Sequence, residues 1–347
     1  MNAIRALRRP AASSDWSPSA WDGAALRLNG HLLQSWRWGE FKSLHGWSVE
    51  RMAVGGEAPT AMAQILFTRR GPLEIGFIPR GPIHAPGDAE SLRALFSTID
   101  ELCKQRGSLY LIVEPNAPLP FDRRIESEGF VRGPEHVLPS RSVKIPLLPD
   151  EALLNQMRQK TRYSVRLAER RGVVVKHSDV SGVGDFYRLL SDTSSRNQFD
   201  IHHEGYYRDF MRVFGKEALL LFSKIDGENA AGLIATRFGE EAIYLNGGSS
   251  TTYRAHGAAF AIQFEAMRWA RRQGSKRYDL WGIPAQDPPP SDEGAEHVSG
   301  SKGDDWRGLY KFKTGFGGEI VTYPPALERR YSPVLSFIAR RAKSLLG

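Results

Sequence analysis

The fold is decided by a stretch in the second half of the chain, 241-EAIYLNGGSSTTYRAHGAAFAIQFEAMRWARRQGSKRYDLWG-282. It opens with a β-rich run from Glu241 to Gly247 and continues with a segment of helical period from His256 to Gln273, which Gly274 closes. A second β-rich run, Lys276 to Leu280, follows. Strand, helix and strand in such close succession indicate a unit of the α/β or α+β class.

The same order of elements recurs on the N-terminal side of this stretch. A helix from Pro149 to Arg171, a strand, two helices and two further strands precede it, and the first half of the chain contains strands, a helix, a strand, a short helix and a strand. We therefore predict two copies of one architecture. The boundaries that we predict are a flexible tail at 1–22, a first domain at 23–148, a second domain at 149–325 with a mobile loop at 285–307, and a C-terminal helix at 326–347 that packs back on the first domain.

Composition agrees with a soluble two-domain protein. The chain has 347 residues, and domains average roughly 150 residues. Lys and Arg number 47 against 39 Asp and Glu, which gives a net charge of +8 and suits a polyanionic partner. The lone cysteine, Cys103, excludes an intrachain disulfide and a cysteine zinc cluster. We find neither a membrane span nor the apolar segment of a signal peptide, so we expect a cytoplasmic protein.

The most informative segment is GLYKFKTGFGG, residues 308–318. Glycines at this density beside aromatic residues and two lysines indicate a backbone that approaches another group closely, with cations next to it. A tight β-hairpin or turn with solvated lysines is the simpler interpretation of the same residues.

Four blocks of the sequence resemble one family. FKTGFG at 312–317, preceded by YDLWGI at 278–283, resembles the paired signature of the FemABX peptidyltransferases. WGEFKS at 38–43 and KTRYSVRLA at 160–168 resemble two further blocks of that family, in the same order. The resemblance implies two tandem GNAT-like domains, the fold of N-acyltransferases. It also implies transfer of an amino acid from aminoacyl-tRNA to the amine of a peptidoglycan precursor, a muramyl-pentapeptide that is nucleotide-linked or lipid-linked.

The resemblance further implies roles for individual residues. Phe312 and Lys313 match the Phe-Lys pair at the reacting end, where the lysine helps to hold the aminoacyl ester. Lys42 falls where a family lysine contacts the diphosphate of the precursor, and Trp38 belongs to the same block.

Three tyrosines complete the substrate-binding set that the resemblance implies. Tyr206 and Tyr207 fall near family tyrosines that line the precursor site, and Tyr244 lies on the strand that supplies another. One position departs from the family pattern, because an arginine expected about one turn ahead of the tyrosine pair is replaced by His202 or His203.

A row of arginines marks the helix after Pro149. Arg158, Arg162 and Arg166 lie four residues apart and share one helix face, with Arg170 next in line. A solvated face is the ordinary explanation of such a row. An anion-binding role toward tRNA phosphates is the alternative that we carry forward.

The chemistry of transfer from an ester to an amine needs a neutral amine and a donor or cation for the oxyanion. We therefore expect direct attack in a ternary complex, with aminoacyl-tRNA as co-substrate and no cofactor. Asp279 and Glu114, at the ends of predicted strands, are candidate proton acceptors, although either could instead cap a turn. The histidines fit no zinc spacing, so we expect no metal.

Alternatives remain open at this stage. Residues 254–259, RAHGAA, match the R-x-x-G-x-A turn with which GNAT enzymes bind the pyrophosphate of acyl-CoA, so an acyl-CoA-dependent N-acyltransferase is a rival, as is a ligase for a non-peptidoglycan peptide. Val183 to Gly215 holds no long heptad pattern, so the chain resembles the FemX-like members without a helical-hairpin arm. The basic amphipathic segment Tyr331 to Gly347 either docks on the first domain or contacts the inner face of the membrane. We expect a monomer.

Overall fold

The computed structural model of the chain describes residues 16–71, 73–121, 124–134, 137–288 and 306–332. The chain forms two compact units, the first built from residues up to 138 and from residue 323 onward, and the second from residues 139–322. Within the described ranges, no helix has both the length and the apolar character that a bilayer crossing needs.

The first unit is a mixed sheet with one amphipathic helix packed on it. Its elements are, in chain order, α1 (Pro18–Arg27), α2 (Trp36–Ser43), β1 (Ser48–Val54), β2 (Ala61–Arg70), β3 (Leu73–Pro79), β4 (Ile83–His84), α3 (Ala89–Gln105), β5 (Ser108–Glu114), β6 (Val131–Arg132) and β14 (Leu327–Arg330). The strand order is β1-β2-β3-β5-β14-β6, with β4 beside β2 and with β3 and β5 parallel. Asp88 caps α3 through the Ser91 N–H, and Leu92, Phe96 and Ile99 of α3 fill the core.

The second unit repeats this plan. Its elements are β7 (Arg141–Pro146), α4 (Asp150–Asn155), α5 (Gln159–Arg170), β8 (Val174–Ser178), α6 (Val183–Asn197), α7 (Glu204–Phe214), β9 (Ala218–Ile225), β10 (Glu228–Phe238), β11 (Glu241–Ser249), α8 (Ala258–Arg272), β12 (Arg277–Ile283), α9 (Trp306–Gly315) and β13 (Glu319–Thr322). The strand order is β13-β7-β12-β11-β10-β9-β8, with β11 and β12 parallel. The apolar residues of α8, among them Ile262, Ala266 and Met267, pack into the core of this unit.

The two sheets share one central order of strands. In each, three antiparallel strands are followed by a crossover helix and a parallel strand: β1-β2-β3, α3 and β5 in the first unit, and β9-β10-β11, α8 and β12 in the second. The next strand in space comes from elsewhere in the chain, because β14 pairs with β5 and β7 pairs with β12. The expectation of two copies of one architecture is therefore confirmed.

Three predicted boundaries are wrong, and each for a packing reason. The tail at 1–22 ends earlier than predicted, because α1 begins at Pro18 and the fully buried Trp21 donates its indole N–H to the Gln34 carbonyl. The strand before Pro146 belongs to the second sheet rather than the first, because Val143 and Ile145 lie in the second core. Residues 327–330 are the strand β14 rather than a helix, and they lie between β5 and β6.

The structure also differs from the prediction in other elements. The helix predicted from Pro149 to Arg171 is two helices, because the Arg158 N–H leaves the helical pattern and donates to the Gly315 carbonyl. The short helix predicted near Phe121 is a 3₁₀ turn at Ile125–Glu128. Most of the predicted loop 285–307 lies outside the described residues, but Trp306 already begins α9. The C-terminal helix predicted after Ser332 also lies outside them.

Candidate functional site

The sheet of the second unit opens where β11 and β12 part. Their hydrogen-bonded pairing covers three residues on each strand and ends at Ile243 and Asp279, although β11 continues to Ser249 and β12 to Ile283. The equivalent strands of the first unit, β3 and β5, stay paired up to Pro79 and Glu114. The opening between parallel strands is therefore a feature of the second unit.

Both strands that border this opening carry a bulge. In β11 the register slips at Leu245, and in β12 the two residues Leu280 and Trp281 lie opposite the single residue Val143 of β7. Trp281 has a φ of 59°, a left-handed conformation that a large side chain rarely adopts. Bulges and left-handed residues of this kind redirect backbone groups next to functional sites.

Lys313 reaches the opening from α9. The side chain is buried, and its ammonium donates to the Gly282 carbonyl at 2.8 Å and lies 5.5 Å from the centre of the Tyr244 ring. Burial lowers the pKa of Lys313 to about 7, and the negative charge of Asp279 offsets part of that lowering. One of the three ammonium donors is used by Gly282, so the group can still donate to a bound carbonyl or oxyanion.

A buried polar network lies at the base of β12. Asp279 accepts the Trp281 N–H at 2.7 Å and the Ser142 hydroxyl, and its second oxygen lies 3.7 Å from the Lys144 ammonium. Lys144 also donates to both oxygens of Glu241, at 2.7 and 2.9 Å. Burial raises the pKa of Glu241, and Lys144 opposes that rise. The contacts of Asp279 match the turn-capping alternative that the sequence left open.

The glycine-rich segment is helical rather than a hairpin. Phe312 and Lys313 lie in the last turns of α9, and the turn proper follows at Phe316 to Gly318. Gly317 and Gly318 have positive φ values of 87° and 78°, and a Cβ on either would collide with a backbone carbonyl. The close approach predicted for these glycines is therefore to the protein's own backbone, and it fixes the end of the helix that carries Lys313.

Phe312 packs inside the second unit. Its ring meets Phe260 and Phe316 edge-on, at centroid distances of 5.0 and 5.3 Å. These contacts hold α9 against α8 and orient the neighbouring Lys313.

The turn that resembles the acyl-CoA motif is covered by another helix. Gly257 has a φ of 75° and begins α8. A Cβ at this position would collide with the Ser164 carbonyl of α5, and the Arg171 guanidinium donates to the carbonyl of Ala255 in the same turn. The glycine therefore serves the packing of α5 on α8, and this argues against pyrophosphate binding there.

The arginine row is only partly a solvated face. Arg158 and Arg166 are exposed, whereas the half-buried Arg162 donates to the carbonyls of Asn155 and Met157 at 3.3 and 3.5 Å. Arg162 therefore caps the end of α4. Tyr163 of the same helix is 56% exposed, and the Arg170 guanidinium lies 5.5 Å from the centre of its ring.

The tyrosine pair lies in a separate aromatic cluster on α6 and α7. Tyr207 is buried against Phe186, and its hydroxyl accepts the His202 N–H at 3.3 Å. Tyr206 stacks on the His202 ring at 3.8 Å. Burial raises the pKa of Tyr206, of Tyr207 to about 12, and of Tyr244 to about 12. Of the three predicted tyrosines, Tyr244 lies close to Lys313. Tyr206 and Tyr207 contact each other in the separate cluster.

The first unit presents a second group of predicted residues on α2. Gly39 lets this helix pack against Arg51 and Gln64, where a Cβ would collide with both side chains. Lys42 is half-buried, its ammonium lies 5.4 Å from the Trp47 ring, and burial lowers its pKa to about 8. The buried indole nitrogen of Trp38 has no hydrogen-bond acceptor among the described residues. A half-buried cation and an indole donor on one helix suit an anionic ligand.

Glu114 behaves as a structural carboxylate of the first unit. It is fully buried, and its two oxygens accept the backbone N–H groups of Val137 and Leu138. These bonds fix the chain after β6 and favour the capping role over proton transfer.

The sequence reasoning missed Ser142, Lys144, Glu241 and the bulged conformation of Trp281. Lys144 was visible as a charge inside the apolar strand VKI, residues 143–145, and a charge in such a place needs a partner. Its partners Glu241 and Asp279 lie on other strands, and only the pairing of the sheet brings them together.

Comparison with known proteins extends this description. A lipid II:glycine glycyltransferase of Staphylococcus aureus is 29% identical over 223 residues, which cover 58% of this chain and 52% of that protein. The chain thus spans about half the length of the curated relatives that it matches. The crystal structure of FemX superposes with a TM-score of 0.79 at 21% identity, over 93% of this chain and 98% of that one.

The tandem GNAT fold is confirmed as well. A tandem GNAT protein from the clavulanic acid biosynthesis pathway superposes with a TM-score of 0.54 at 12% identity, over 93% of this chain and 99% of that one. The sequence itself matches the FemAB family over residues 25–127, 143–230 and 226–342, which include α2, the opening between β11 and β12, and α9. With most of its length matched in this way, the chain belongs to the FemAB family.

Proposed function

We propose that this protein is an aminoacyltransferase that moves an amino acid from aminoacyl-tRNA to the amine of a peptidoglycan precursor peptide. The observation that carries the proposal is the buried Lys313 ammonium at the opening between β11 and β12, held by the Gly282 carbonyl in a chain of the FemAB family. The S. aureus relative is named for transfer of glycine to lipid II, which supports a precursor of that class as the acceptor.

The reaction requires little covalent participation by the protein. The neutral acceptor amine attacks the ester carbonyl, and the carbonyl oxygen becomes an oxyanion. As the oxyanion collapses to the amide, the bond to the tRNA ribose oxygen breaks, and the proton that the amine loses ends on that ribose oxygen. The Lys313 ammonium donates to the carbonyl oxygen as charge builds on it, and it sits in a site from which water is largely excluded. Lys313 with a pKa near 7 is substantially protonated at neutral pH, so the cation is available there.

On this proposal, residues of each unit bind a different part of the acceptor, Lys42 and Trp38 in the first unit and the tyrosine pair of α7 in the second. Lys42 supplies a cation and Trp38 an N–H to the phosphates of the precursor, whether these belong to a nucleotide or to a lipid carrier. Tyr206 and Tyr207 with their raised pKa values remain neutral at physiological pH. The half-buried Tyr206 offers its hydroxyl to the peptide, and the buried Tyr207 supports the Tyr206 ring edge-on.

The tRNA is held by the exposed side of α5. Arg158 and Arg166 present cations there, and the exposed Tyr163, with Arg170 against one side of its ring, offers a ring that can stack on an unpaired base. Arg162 contributes through the end of α4 rather than through a phosphate contact.

A donor comparison tests the proposed function. The purified chain is incubated with a muramyl-pentapeptide precursor and either a pool of charged tRNA or acyl-CoA. The mass of the acceptor is then measured by mass spectrometry. We expect an acceptor heavier by one amino acid residue with charged tRNA, and no change with acyl-CoA. Acylation from acyl-CoA would overturn the proposal, and transfer to other peptides but not to the precursor would overturn its acceptor.

A further inference from the structure

The β-bulge in β12 determines the direction of the Gly282 carbonyl. Leu280 and Trp281 together lie opposite the single residue Val143, and regular pairing with β7 resumes at Gly282. Trp281 holds a left-handed φ of 59°, a conformation that is unfavourable for a residue other than glycine. Such a conformation persists only where the surroundings hold it.

Asp279 supplies that support from two residues away. The carboxylate is fully buried and accepts the Trp281 N–H at 2.7 Å, which closes a turn around the bulge. The Ser142 hydroxyl on β7 donates to the same oxygen and anchors it to the neighbouring strand. The oxygens of Asp279 are thus engaged by groups of the protein, an arrangement that suits a support better than a proton acceptor.

We propose that Asp279 is a positioning residue for Lys313: its carboxylate fixes the Leu280–Trp281 bulge, and the bulge aims the Gly282 carbonyl at the Lys313 ammonium. The inference deepens the proposed function and rests on it only in taking Lys313 as the group at the reacting ester.

Asp279 also acts on Lys313 through its charge. Titratable and charged groups lie on each of the elements around the ammonium: Arg277, Tyr278 and Asp279 on β12, Glu241 and Tyr244 on β11, Arg141 and Lys144 on β7, and Arg307, Tyr310 and Lys311 on α9. Burial lowers the pKa of Lys313, and the negative charge of Asp279 raises it. Loss of that charge therefore lowers the pKa of Lys313 further and shrinks the range of pH in which the cation exists.

Two substitutions separate these effects. Asp279→Asn keeps an oxygen that can accept the Trp281 N–H but removes the charge, whereas Asp279→Ala removes both. The titration of Lys313 is followed by NMR in the full chain with ¹³C-labelled lysine ε-carbons, and its signal is assigned by its loss in Lys313→Arg. We expect a midpoint near 7 in the wild type and a lower midpoint in Asp279→Asn.

The activity of the same variants gives a second readout. Because Lys313 works as a cation, kcat falls as pH rises through its pKa, and in Asp279→Asn this fall moves to lower pH. At pH 6 we expect Asp279→Asn to keep kcat within about tenfold, and Asp279→Ala to lose about a hundredfold, the scale for a misplaced oxyanion donor.

Glu241→Gln is the matched control for buried charge. Glu241 contacts Lys144, as Asp279 does, but makes no hydrogen bond to the bulge. We expect its effect on the Lys313 midpoint to be smaller than that of Asp279→Asn. An equal shift would overturn the special role of Asp279.

Other outcomes also decide the question. A loss of about 10² to 10⁴ in Asp279→Asn at every pH, with the Lys313 midpoint unmoved, would identify Asp279 as a proton acceptor and overturn the proposal. If Asp279→Ala fails to fold, the asparagine variant and its titration decide alone. If no donor is used at all, the proposed function fails, but the NMR midpoints still confirm or contradict the positioning role.

Discussion

At the scale of single residues, the proposal depends on two desolvated lysines, the buried Lys313 at the reacting ester and the half-buried Lys42 at the acceptor. Lys313 and Lys42 are both deprived of water, which lowers the pKa values to about 7 and about 8. A desolvated lysine gains free energy when an anion or an oxyanion binds to it. The sequence placed both residues through a resemblance, but their burial follows only from the packing of α2 and α9.

The first prediction concerns Lys42, because a cation that binds phosphates governs acceptor affinity rather than chemistry. Lys42→Ala should raise the KM for the precursor about tenfold or more and leave kcat and the dependence on aminoacyl-tRNA nearly unchanged. In the wild type the same KM should rise as pH passes about 8, because the ammonium loses its proton there, and this rise should vanish in the variant.

Steady-state kinetics over pH 6 to 9, with both substrates varied, measures these effects. Lys104→Ala, an exposed lysine on α3 of the same unit, is the control for a lost positive charge. A change in the tRNA dependence instead of the precursor KM would contradict the assignment.

At the scale of elements, α5 and α9 show how glycine determines packing. Gly315 of α9 lies where a Cβ would collide with Thr161 of α5, and Gly257 lies where a Cβ would collide with the Ser164 carbonyl of the same helix. The glycines of two motifs therefore let helices approach one another. One of these approaches places Lys313, and the other covers the turn that resembles an acyl-CoA site.

The second prediction concerns the exposed face of α5. Replacing Arg158 and Arg166 together by Gln should flatten the fall of log K for tRNA with log salt, since each phosphate contact contributes about one unit or less to the slope. Arg188→Gln with Arg212→Gln, two exposed arginines on α6 and α7, removes the same charge elsewhere in the unit.

Binding of aminoacyl-tRNA measured from low to physiological salt gives the slopes. Equal slopes for the wild type and the Arg158 and Arg166 variant would show that α5 is merely a solvated face. Equal flattening in the control pair would show that net charge, not this helix, attracts the tRNA.

Sequence patterns were sufficient for elements whose signal is local. The strands β1, β2 and β3 and the amphipathic helix α3 appear in the predicted order, because alternation and helical period depend only on neighbouring residues. The sheet assignment of β7 and the strand β14 was not predictable in this way, since their partners lie far along the chain. Helix α9 was missed because its glycines favour a turn locally, and contacts with α5 select the helix.

At the scale of the whole molecule, the chain returns to its first unit after completing the second. Strand β14 pairs with β5 on one side and β6 on the other. Arg329 forms an ion pair with Asp100 of α3 and donates to the Glu128 carbonyl. The first unit is therefore completed by a strand that follows the whole second unit in the sequence.

The third prediction follows from that topology. Truncation after Pro325 removes β14 and should leave the first unit unfolded, because the backbone groups of β5 and β6 lose their shared partner. Truncation after Ser332 keeps the strand and should give a folded chain with a normal thermal transition.

Circular dichroism melting of the two truncated chains makes the comparison. The chain cut after Ser332 also tests whether residues 333–347 are needed for contact with anionic vesicles, because this cut removes them and leaves the sheet intact. A chain cut after Pro325 that melts like the full-length protein would contradict the role of β14.

The central claim is that the chemistry takes place at Lys313, and single-turnover transfer tests it most directly. The enzyme in excess is mixed with labelled aminoacyl-tRNA and saturating muramyl-pentapeptide precursor, and the labelled precursor is measured over time for wild type, Lys313→Met and Lys311→Met. Lys311 is the matched control, because it is exposed on the same helix two residues away.

We expect the Lys313→Met enzyme to transfer at a rate lower by about a hundredfold or more, the scale for loss of one oxyanion-stabilising group. The Lys311→Met enzyme should transfer at close to the wild-type rate. Near-normal transfer by a folded Lys313→Met enzyme would contradict the account.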